Sequence, residues 1–237
     1  AAVETEEFSQ WVIEDNFPLG RPDWDCAGAI FTNNVGSFEK MKLRMLNGTH
    51  SMLAYVGFHC GYRYVRDVMN DKVLSNLVNR HLQIAAQTLK PIKGIDYNNY
   101  AQSLVSRFSN PEIAHETFQI AMDGSEKMQQ RIFYPLKDAI SLNLNIRPFA
   151  FAIAAWLRHI SQSYHDCAPY ELRDPIADQL SPLPKERSAH SISEYLSRIG
   201  LLIDDLKDDK MFWGQVSDIL NNMMCKPMKS IVEQEMI

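Results

Sequence analysis

One stretch, residues 38–57, constrains this chain more than any other, and it reads FEKMKLRMLNGTHSMLAYVG. Its apolar residues recur at helical spacing on most sides, so we predict a helix that is buried over much of its surface. At about 100° per residue, Lys42, Asn47 and His50 fall within an arc of roughly 140° among the apolar residues. The pattern therefore predicts one cavity lined by an amine, an amide and an imidazole.

These three side chains suit the interconversion of a secondary alcohol and a ketone. Burial lowers the pKa of a lysine from about 10.4 towards neutrality, where Lys42 would act as base in one direction and acid in the other. Asn47 would hold the oxygen as negative charge develops, and His50 would bind a neighbouring hydroxyl or set the charge of the lysine. The spacing leaves a structural alternative open, in which the lysine stem covers apolar surface and the histidine is satisfied by a neighbour.

The same residues carry a resemblance to a known family. Lys, four residues, Asn, two residues and His form the motif of the long-chain polyol dehydrogenase/reductase family, also called the mannitol dehydrogenase family. Here the motif is Lys42, Asn47 and His50. Further agreement lies in the runs WVIEDNF (11–17), GRPDW (20–24), RFSNP (107–111) and DGSEK (123–127). The runs MKLRMLNGTHS and QIAMDGS are most similar to the hexuronate branch of the family, which comprises fructuronate reductase and D-mannonate oxidoreductase.

The resemblance implies an NAD-dependent, zinc-independent oxidoreductase acting on CH–OH groups, with Lys42, Asn47 and His50 as catalytic residues. The hexuronate branch implies interconversion of D-mannonate and D-fructuronate in carbohydrate catabolism. Two alternatives stay open. One is a mannitol or polyol 2-dehydrogenase, or a tagaturonate reductase, of the same family. The other is a helical binding module that has kept the motif without the chemistry.

The resemblance also implies that Lys127 contacts the substrate. A uronate carries a carboxylate, so a cation at Lys127 is chemically suitable, and Arg107 is a second candidate. Polyol-oxidising members carry an arginine where this chain has Gln119, which we include among the substrate-binding residues and which argues against mannitol as substrate. The structural alternative for Lys127 is a solvated lysine in the first turn of a helix, because Asp123 predicts a cap before a helix near Glu126.

The cofactor-binding half of such an enzyme is expected to lie outside this sequence, which contains no GxGxxG fingerprint. In the family, a dinucleotide-binding domain precedes a helical one. We therefore expect residues 1–36 to be the tail of a Rossmann-type domain with its linker, and residues 37–237 to be the helical substrate domain. NAD would be bound mainly by the N-terminal Rossmann domain of the same protein, so this chain is expected to be inactive alone.

The predicted fold class is mainly α. The resemblance implies a multi-helical domain like the C-terminal domain of 6-phosphogluconate dehydrogenase, and the pattern adds two short strands at 8–15 and 29–32. Residues 146–159 are apolar on nearly every side and predict a core helix. Asn110 is expected to cap a helix that begins at Pro111. Further expectations are loops around a short helix over 164–189, helices over 191–199 and 209–224, and a last helix after Pro227.

Composition excludes several classes of partner. The 24 basic and 29 acidic residues are interspersed, and no lysine or arginine run follows a phosphate backbone, which argues against nucleic acid. The longest uncharged run, 148–157, is too short for a bilayer that needs about 20 residues. The four cysteines form no CxxC pair, which argues against a disulfide framework or a metal site and fits a reducing cytoplasm. The expected partner is a small sugar acid or polyol.

Overall fold

The computed structural model describes residues 8–162 and 169–237. In these two ranges the chain is mainly α, as predicted, with two short strands before the helices. The strands are β1 (Val12–Glu14) and β2 (Ile30–Thr32). The α-helices are α1 (Val35–Met41), α2 (Thr49–His59), α3 (Val65–Asn70), α4 (Lys72–Gln87), α5 (Tyr97–Phe108), α6 (Thr117–Ala121), α7 (Gly124–Met128), α8 (Tyr134–Ser141), α9 (Arg147–Ile160), α10 (Ala177–Leu180), α11 (Ala189–Arg198), α12 (Lys210–Cys225) and α13 (Met228–Glu235).

Four shorter helical pieces complete the backbone. Two are 3₁₀ turns, Trp24–Ala27 and Asp204–Leu206. The other two are π-helical, and we call them the first π segment (Lys42–Gly48) and the second π segment (Gln129–Phe133). A π-helix bonds each residue to the one five positions away, so its turns are wider than those of an α-helix.

The two strands form a parallel pair, with Val12 opposite Ile30 and Glu14 opposite Thr32. Both predicted strands are present, although β1 has three residues instead of the eight expected. The indole rings of Trp11 and Trp24 stack beside the pair with centroids 5.3 Å apart. A parallel pair normally lies inside a larger sheet with both faces covered.

The predicted helix over 38–57 is confirmed, but its regular period is not. Helical backbone runs without a break from Val35 to His59, through α1, the first π segment and α2. Asn34 caps its start, because the side-chain oxygen accepts a hydrogen bond from the Ser37 N–H at 3.2 Å. Beyond the end of α2, Gly61 adopts a φ of +82°, which glycine tolerates without steric cost.

The core is built around α9, where every residue from Pro148 to Ile160 is buried. This confirms the predicted core helix. It packs against α12, α2 and α4, and each fully buried Phe or Leu side chain contributes about 1.5–3 kcal/mol. Within the described ranges, none of the helices has the length and apolar character needed to cross a bilayer.

Two of the predicted helix starts are wrong. No helix begins at Pro111. The Asn110 side chain accepts from the Glu112 N–H at 3.0 Å, as a capping residue does, but residues 111–112 form only a turn. The helix expected near Glu126 begins earlier, at Gly124, and Asp123 lies at a φ of +55° without capping it. The short helix expected within 164–189 is α10, whereas residues 163–168 of that stretch lie outside the described ranges.

The two π segments pack against each other at one point of close backbone approach. An ideal Cβ at Gly48 would lie 2.6 Å from the backbone oxygen of Arg131, closer than real Cβ contacts. On the second segment, Ile132 and Phe133 are buried in the core and hold its backbone in place. Position 48 therefore requires a residue without a side chain.

We predict that Gly48→Ala destabilises the chain by about 1–3 kcal/mol, because the two backbones must separate to admit a methyl group. The matched control is Gly214→Ala in α12, where an ideal Cβ meets nothing within 4 Å. The control replacement should leave stability unchanged or raise it by up to about 1 kcal/mol. Urea unfolding midpoints test this, and equal midpoints for the two variants would contradict the close crossing.

A second prediction concerns acid stability. His81 is buried with its ring centroid 5.5 Å from that of Phe149, and burial lowers the pKa of His81 to about 4. In the unfolded state His81 has its ordinary pKa of about 6.5, so between about pH 6.5 and 4 the unfolded state binds a proton at His81 and the folded state does not. The free energy of unfolding therefore decreases as the pH falls through this range.

Replacing His81 with Leu should reduce the loss of unfolding free energy between pH 7 and 4.5 by about 2 kcal/mol. His190→Leu is the control, since His190 is exposed. Urea unfolding at both pH values measures the difference. If His81→Leu and the parent chain lose the same stability, His81 is not the source of the acid sensitivity.

Candidate functional site

The first π segment changes how the motif residues are arranged. Lys42 opens the segment and Asn47 is its sixth residue, so five positions separate them, about one turn of a π-helix. His50 follows in α2, three residues after Asn47. Such π turns occur frequently at functional sites. The sequence KLRMLNG carries no signal that distinguishes this geometry from an ordinary α-helix.

Lys42 is exposed, and the expectation of a buried amine is wrong for this chain. In the described ranges its side chain forms no hydrogen bond or ion pair. Five positions make about one π turn, so the π geometry brings Lys42 and Asn47 towards the same face of the helix, and Lys42 is exposed on that face. The buried cation of the segment is Arg44, which donates to the Asp138 carboxylate at 2.6 Å and to the Thr88 carbonyl at 2.9 Å.

His50 is half-buried, and its ring stacks on Phe108 with centroids 4.7 Å apart. The ring of His115 lies 5.8 Å away. Burial lowers the pKa of His50 to about 3, and the nearby charges of His115, Arg131 and Arg107 lower it further in that order. The imidazole is therefore neutral at physiological pH, and its Nε2 atom is buried without a hydrogen-bond partner among the described residues.

Lys127 is also half-buried, so the alternative of a fully solvated surface lysine does not hold. Its ammonium donates to the Met122 carbonyl at 2.5 Å and lies 3.7 Å from the Asp123 carboxylate. Burial lowers the pKa of Lys127, and the charge of Arg131 lowers it further, whereas Asp123 favours the charged form. This lysine is held in place by the turn before its own helix.

The other two candidates occupy different positions. The Arg107 guanidinium lies 4.1 Å above the ring of Phe8, and its charge reaches His50. Gln119 is exposed on α6, a helix that packs against α2. The structure thus brings Arg107 and His50 together, whereas in the part of the chain that it describes Gln119 forms no hydrogen bond or ion pair with the other candidates.

Sequence reasoning missed Arg131, the group that links the candidates. Its guanidinium donates to the Ser51 hydroxyl at 3.0 Å and to the Asn47 carbonyl at 3.5 Å. Its charge acts on His50, Tyr55 and Lys127. One signal in the sequence could have identified Arg131. It stands directly before two apolar residues in a helical run, a pattern that indicates a position at the border of the core.

The start of α7 was also beyond sequence reasoning. The Asp174 carboxylate accepts from the Ser125 N–H at 2.9 Å and from the Ser125 hydroxyl at 2.5 Å, so a distant segment holds the first turn. An ideal Cβ at Gly124 would lie 2.7 Å from the Tyr55 hydroxyl and 2.4 Å from Trp156 Nε1. Gly124 therefore lets this turn approach the core closely enough to place Lys127.

The groups around the motif are able to hydrogen-bond hydroxyl and carbonyl oxygens. Lysine, arginine, amide and imidazole groups surround the motif, but no glycine-rich phosphate loop follows β1, where the sequence is Asp-Asn-Phe-Pro. Across residues 8–162 and 169–237, no group of three or more His, Cys, Asp or Glu side chains is arranged to hold a metal ion.

Comparison of sequences gives a family match over most of the chain. Residues 34–224 match the mannitol dehydrogenase C-terminal domain. D-mannonate oxidoreductase of Escherichia coli is 39% identical over 91% of this chain and 45% of that protein. Mannitol 2-dehydrogenase of Aspergillus oryzae is 35% identical over 93% of this chain and 45% of that protein. The chain therefore spans about half the length of the curated relatives it matches.

Comparison of structures agrees with the sequences. The mannitol 2-dehydrogenase of Pseudomonas fluorescens, solved as a ternary complex with NAD and D-mannitol, superposes with a TM-score of 0.86 at 29% identity. The alignment covers 96% of this chain and 46% of that one. The motif, the helical fold and the matched residues 34–224 lead to one conclusion. This chain belongs to the mannitol dehydrogenase family and carries its C-terminal domain.

Proposed function

We propose that this chain is the substrate domain of an NAD-dependent oxidoreductase that interconverts D-mannonate and D-fructuronate. The observation that carries the proposal is the group of cations beside the motif. Lys127 and Arg131 are half-buried near one another, and Arg107 lies close to His50. Half-buried cations suit the carboxylate of a sugar acid, because charge-assisted hydrogen bonds are strongest away from bulk water.

In this proposal three residues act on the reacting alcohol. Lys42 takes the hydroxyl proton during oxidation and returns it during reduction. The Asn47 amide holds the oxygen as negative charge develops. His50 is neutral, so it binds a neighbouring substrate hydroxyl without adding charge. Because Lys42 is exposed in this chain, its desolvation comes from the substrate and from parts of the protein beyond the described residues.

Lys127 and Arg107 bind the substrate carboxylate in this proposal. Lys127 is the stronger candidate, since the Met122 carbonyl and Asp123 fix its ammonium while leaving it partly open. Gln119 is the third candidate for binding the substrate, and it lies exposed on α6. A neutral amide there leaves the recognition of the carboxylate to the two cations.

The cofactor belongs to a different part of the protein in this proposal. NAD, when bound, accepts or supplies the hydride, whereas the residues of this chain move the proton and hold the oxygen. The parallel pair β1–β2, with the Trp11 side chain exposed, suits an edge that extends the sheet of an N-terminal Rossmann domain. We therefore propose that this chain is inactive alone. The four cysteines form no CxxC pair in the sequence, which supports a reducing compartment such as the cytoplasm.

A polyol dehydrogenase of the same family is the second candidate. The similarity to the mannitol 2-dehydrogenases of Aspergillus oryzae and Pseudomonas fluorescens favours it. The deciding experiment compares NADH-dependent reduction of D-fructuronate, D-tagaturonate and D-fructose by the full-length protein. A rate with D-fructose equal to that with D-fructuronate supports the polyol enzyme, and no turnover of any of them supports a binding module.

We predict that Lys42→Met in the full-length protein lowers kcat for the preferred substrate by roughly 10²- to 10⁴-fold, since proton transfer then lacks its acid and base. KM should change little. The matched control is Lys40→Met, because Lys40 is also exposed and lies two residues away. Absorbance of NADH follows the reaction. A Lys42→Met enzyme within twofold of the parent enzyme would remove Lys42 from the chemistry.

We also predict that Lys127→Met separates the two substrate classes. Loss of a cation that binds a carboxylate should raise KM for D-fructuronate by roughly 10- to 100-fold. KM for D-fructose, which has no carboxylate, should stay within about threefold. Lys210→Met serves as the control, because Lys210 is an exposed lysine at the start of α12. An equal increase in KM for both substrates would show that Lys127 does not bind the carboxylate.

A further inference from the structure

We infer that Arg131 is a positioning residue for the motif. Its guanidinium holds the turn from Asn47 to Ser51 and keeps a fixed positive charge beside His50 and Lys127. The inference rests on the proposed function, because it assigns a role within that same site. Arg131 is not part of the motif and lies 81 positions after His50 in the sequence.

The first support is where the guanidinium donates its hydrogen bonds. It reaches the Ser51 hydroxyl at 3.0 Å and the Asn47 carbonyl at 3.5 Å, so it spans the turn that contains His50. Asn47 lies one residue before the end of the π geometry, and Ser51 belongs to the α geometry of α2. Both bonds come from one guanidinium nitrogen, Nη1, so a single donor group joins the two ends of the turn that carries His50 and restricts how the Asn47 and His50 side chains project.

The second support is the rigidity of the backbone behind it. The Arg131 carbonyl faces Gly48 at the closest approach of the two π segments. The next two residues, Ile132 and Phe133, are buried in the core. The base of the Arg131 side chain is therefore fixed relative to the motif, and the guanidinium reaches its two acceptors from a defined point.

The third support is that both acceptors are neutral. Within the described ranges, no carboxylate forms an ion pair with Arg131. By contrast Arg44, Arg80 and Arg147 each pair with an acid. A half-buried arginine without a counter-ion is costly, and such groups cluster at functional sites. Its charge therefore acts on the site instead of being cancelled.

The charged groups around His50 and Lys127 determine how the charge of Arg131 affects these two side chains. His50 faces Arg107 from α5, His115 from the segment before α6, and Arg131. Each of these three charges lowers the pKa of His50, so removal of Arg131 must raise it. Lys127 faces Arg131, Asp123 and Asp174, and Arg131 alone among these three lowers its pKa.

Two replacements in the full-length protein separate the effect of the Arg131 hydrogen bonds from the effect of its charge. Arg131→Met removes both the donor and the charge, whereas Arg131→Lys keeps the charge on a shorter side chain that ends before the position of Nη1. Arg187→Lys is the control, because Arg187 is a half-buried arginine that donates to Asn221 at 3.1 Å on a different surface. Thermal unfolding of all variants identifies any that fail to fold, and Arg131→Lys is then the decisive replacement.

The kinetic readout is the pH profile of kcat and kcat/KM. Both replacements should lower kcat by roughly 10- to 100-fold, since the motif turn loses charge-assisted hydrogen bonds. Only Arg131→Met should move the alkaline limb of kcat/KM for a sugar acid to higher pH, because Lys127 then keeps its proton more readily. A purely structural role would lower stability in both variants without this difference between them.

The second readout does not depend on turnover. Titration of ¹⁵N-labelled histidines by NMR in the full-length protein should show a higher pKa for His50 in Arg131→Met, and an unchanged one in Arg131→Lys and Arg187→Lys. If the parent enzyme turns over no sugar acid or polyol, the proposed function fails, and the titration still decides the role of Arg131. An identical His50 titration in Arg131→Met and in the parent protein, or unchanged kcat in both variants of an active enzyme, would overturn the inference.

Discussion

The close crossing of the two π segments is the constraint on which the rest of the site depends. It requires the missing side chain of Gly48, because the Arg131 carbonyl occupies the space that a methyl group would take. Since Ile132 and Phe133 are buried in the core, the crossing transmits the rigidity of the core to the motif. The side chains that follow Gly48 are therefore placed by tertiary contact more than by helix propensity.

Partial burial of the side chains explains the direction of the pKa shifts in the site. His50 and Lys127 are half-buried, and burial is the largest cause that lowers the pKa of each. Arg131 adds to both shifts, whereas the carboxylates of Asp123 and Asp174 oppose it only at Lys127. The same arginine thus favours a neutral imidazole while the acids help Lys127 to stay charged. That division suits a site that binds hydroxyl groups at one end and a carboxylate at the other.

The sequence was sufficient for features that depend on local pattern. The core helix α9 and the helix through the motif follow from apolar spacing. The family motif predicts where the site lies. The predictions that failed concern features where distant residues meet. The π geometry occurs where the first π segment packs against the second, and the early start of α7 is held by Asp174, 49 positions after Ser125. The Asn110 side chain forms the bond expected of a cap, but no helix follows it.

The exposure of Lys42 has a consequence for how the proposed reaction is controlled. A general base is most effective when its pKa lies near the working pH, and burial of an amine moves its pKa in that direction. The rest of the site is already ordered in this chain, with Asn47 and His50 held by Arg131 and by stacking on Phe108. Proton transfer by Lys42 therefore waits for the surfaces that exclude water from it. In the proposed enzyme, those surfaces are the substrate and the cofactor domain, so the base becomes active only when both halves of the reaction are in place.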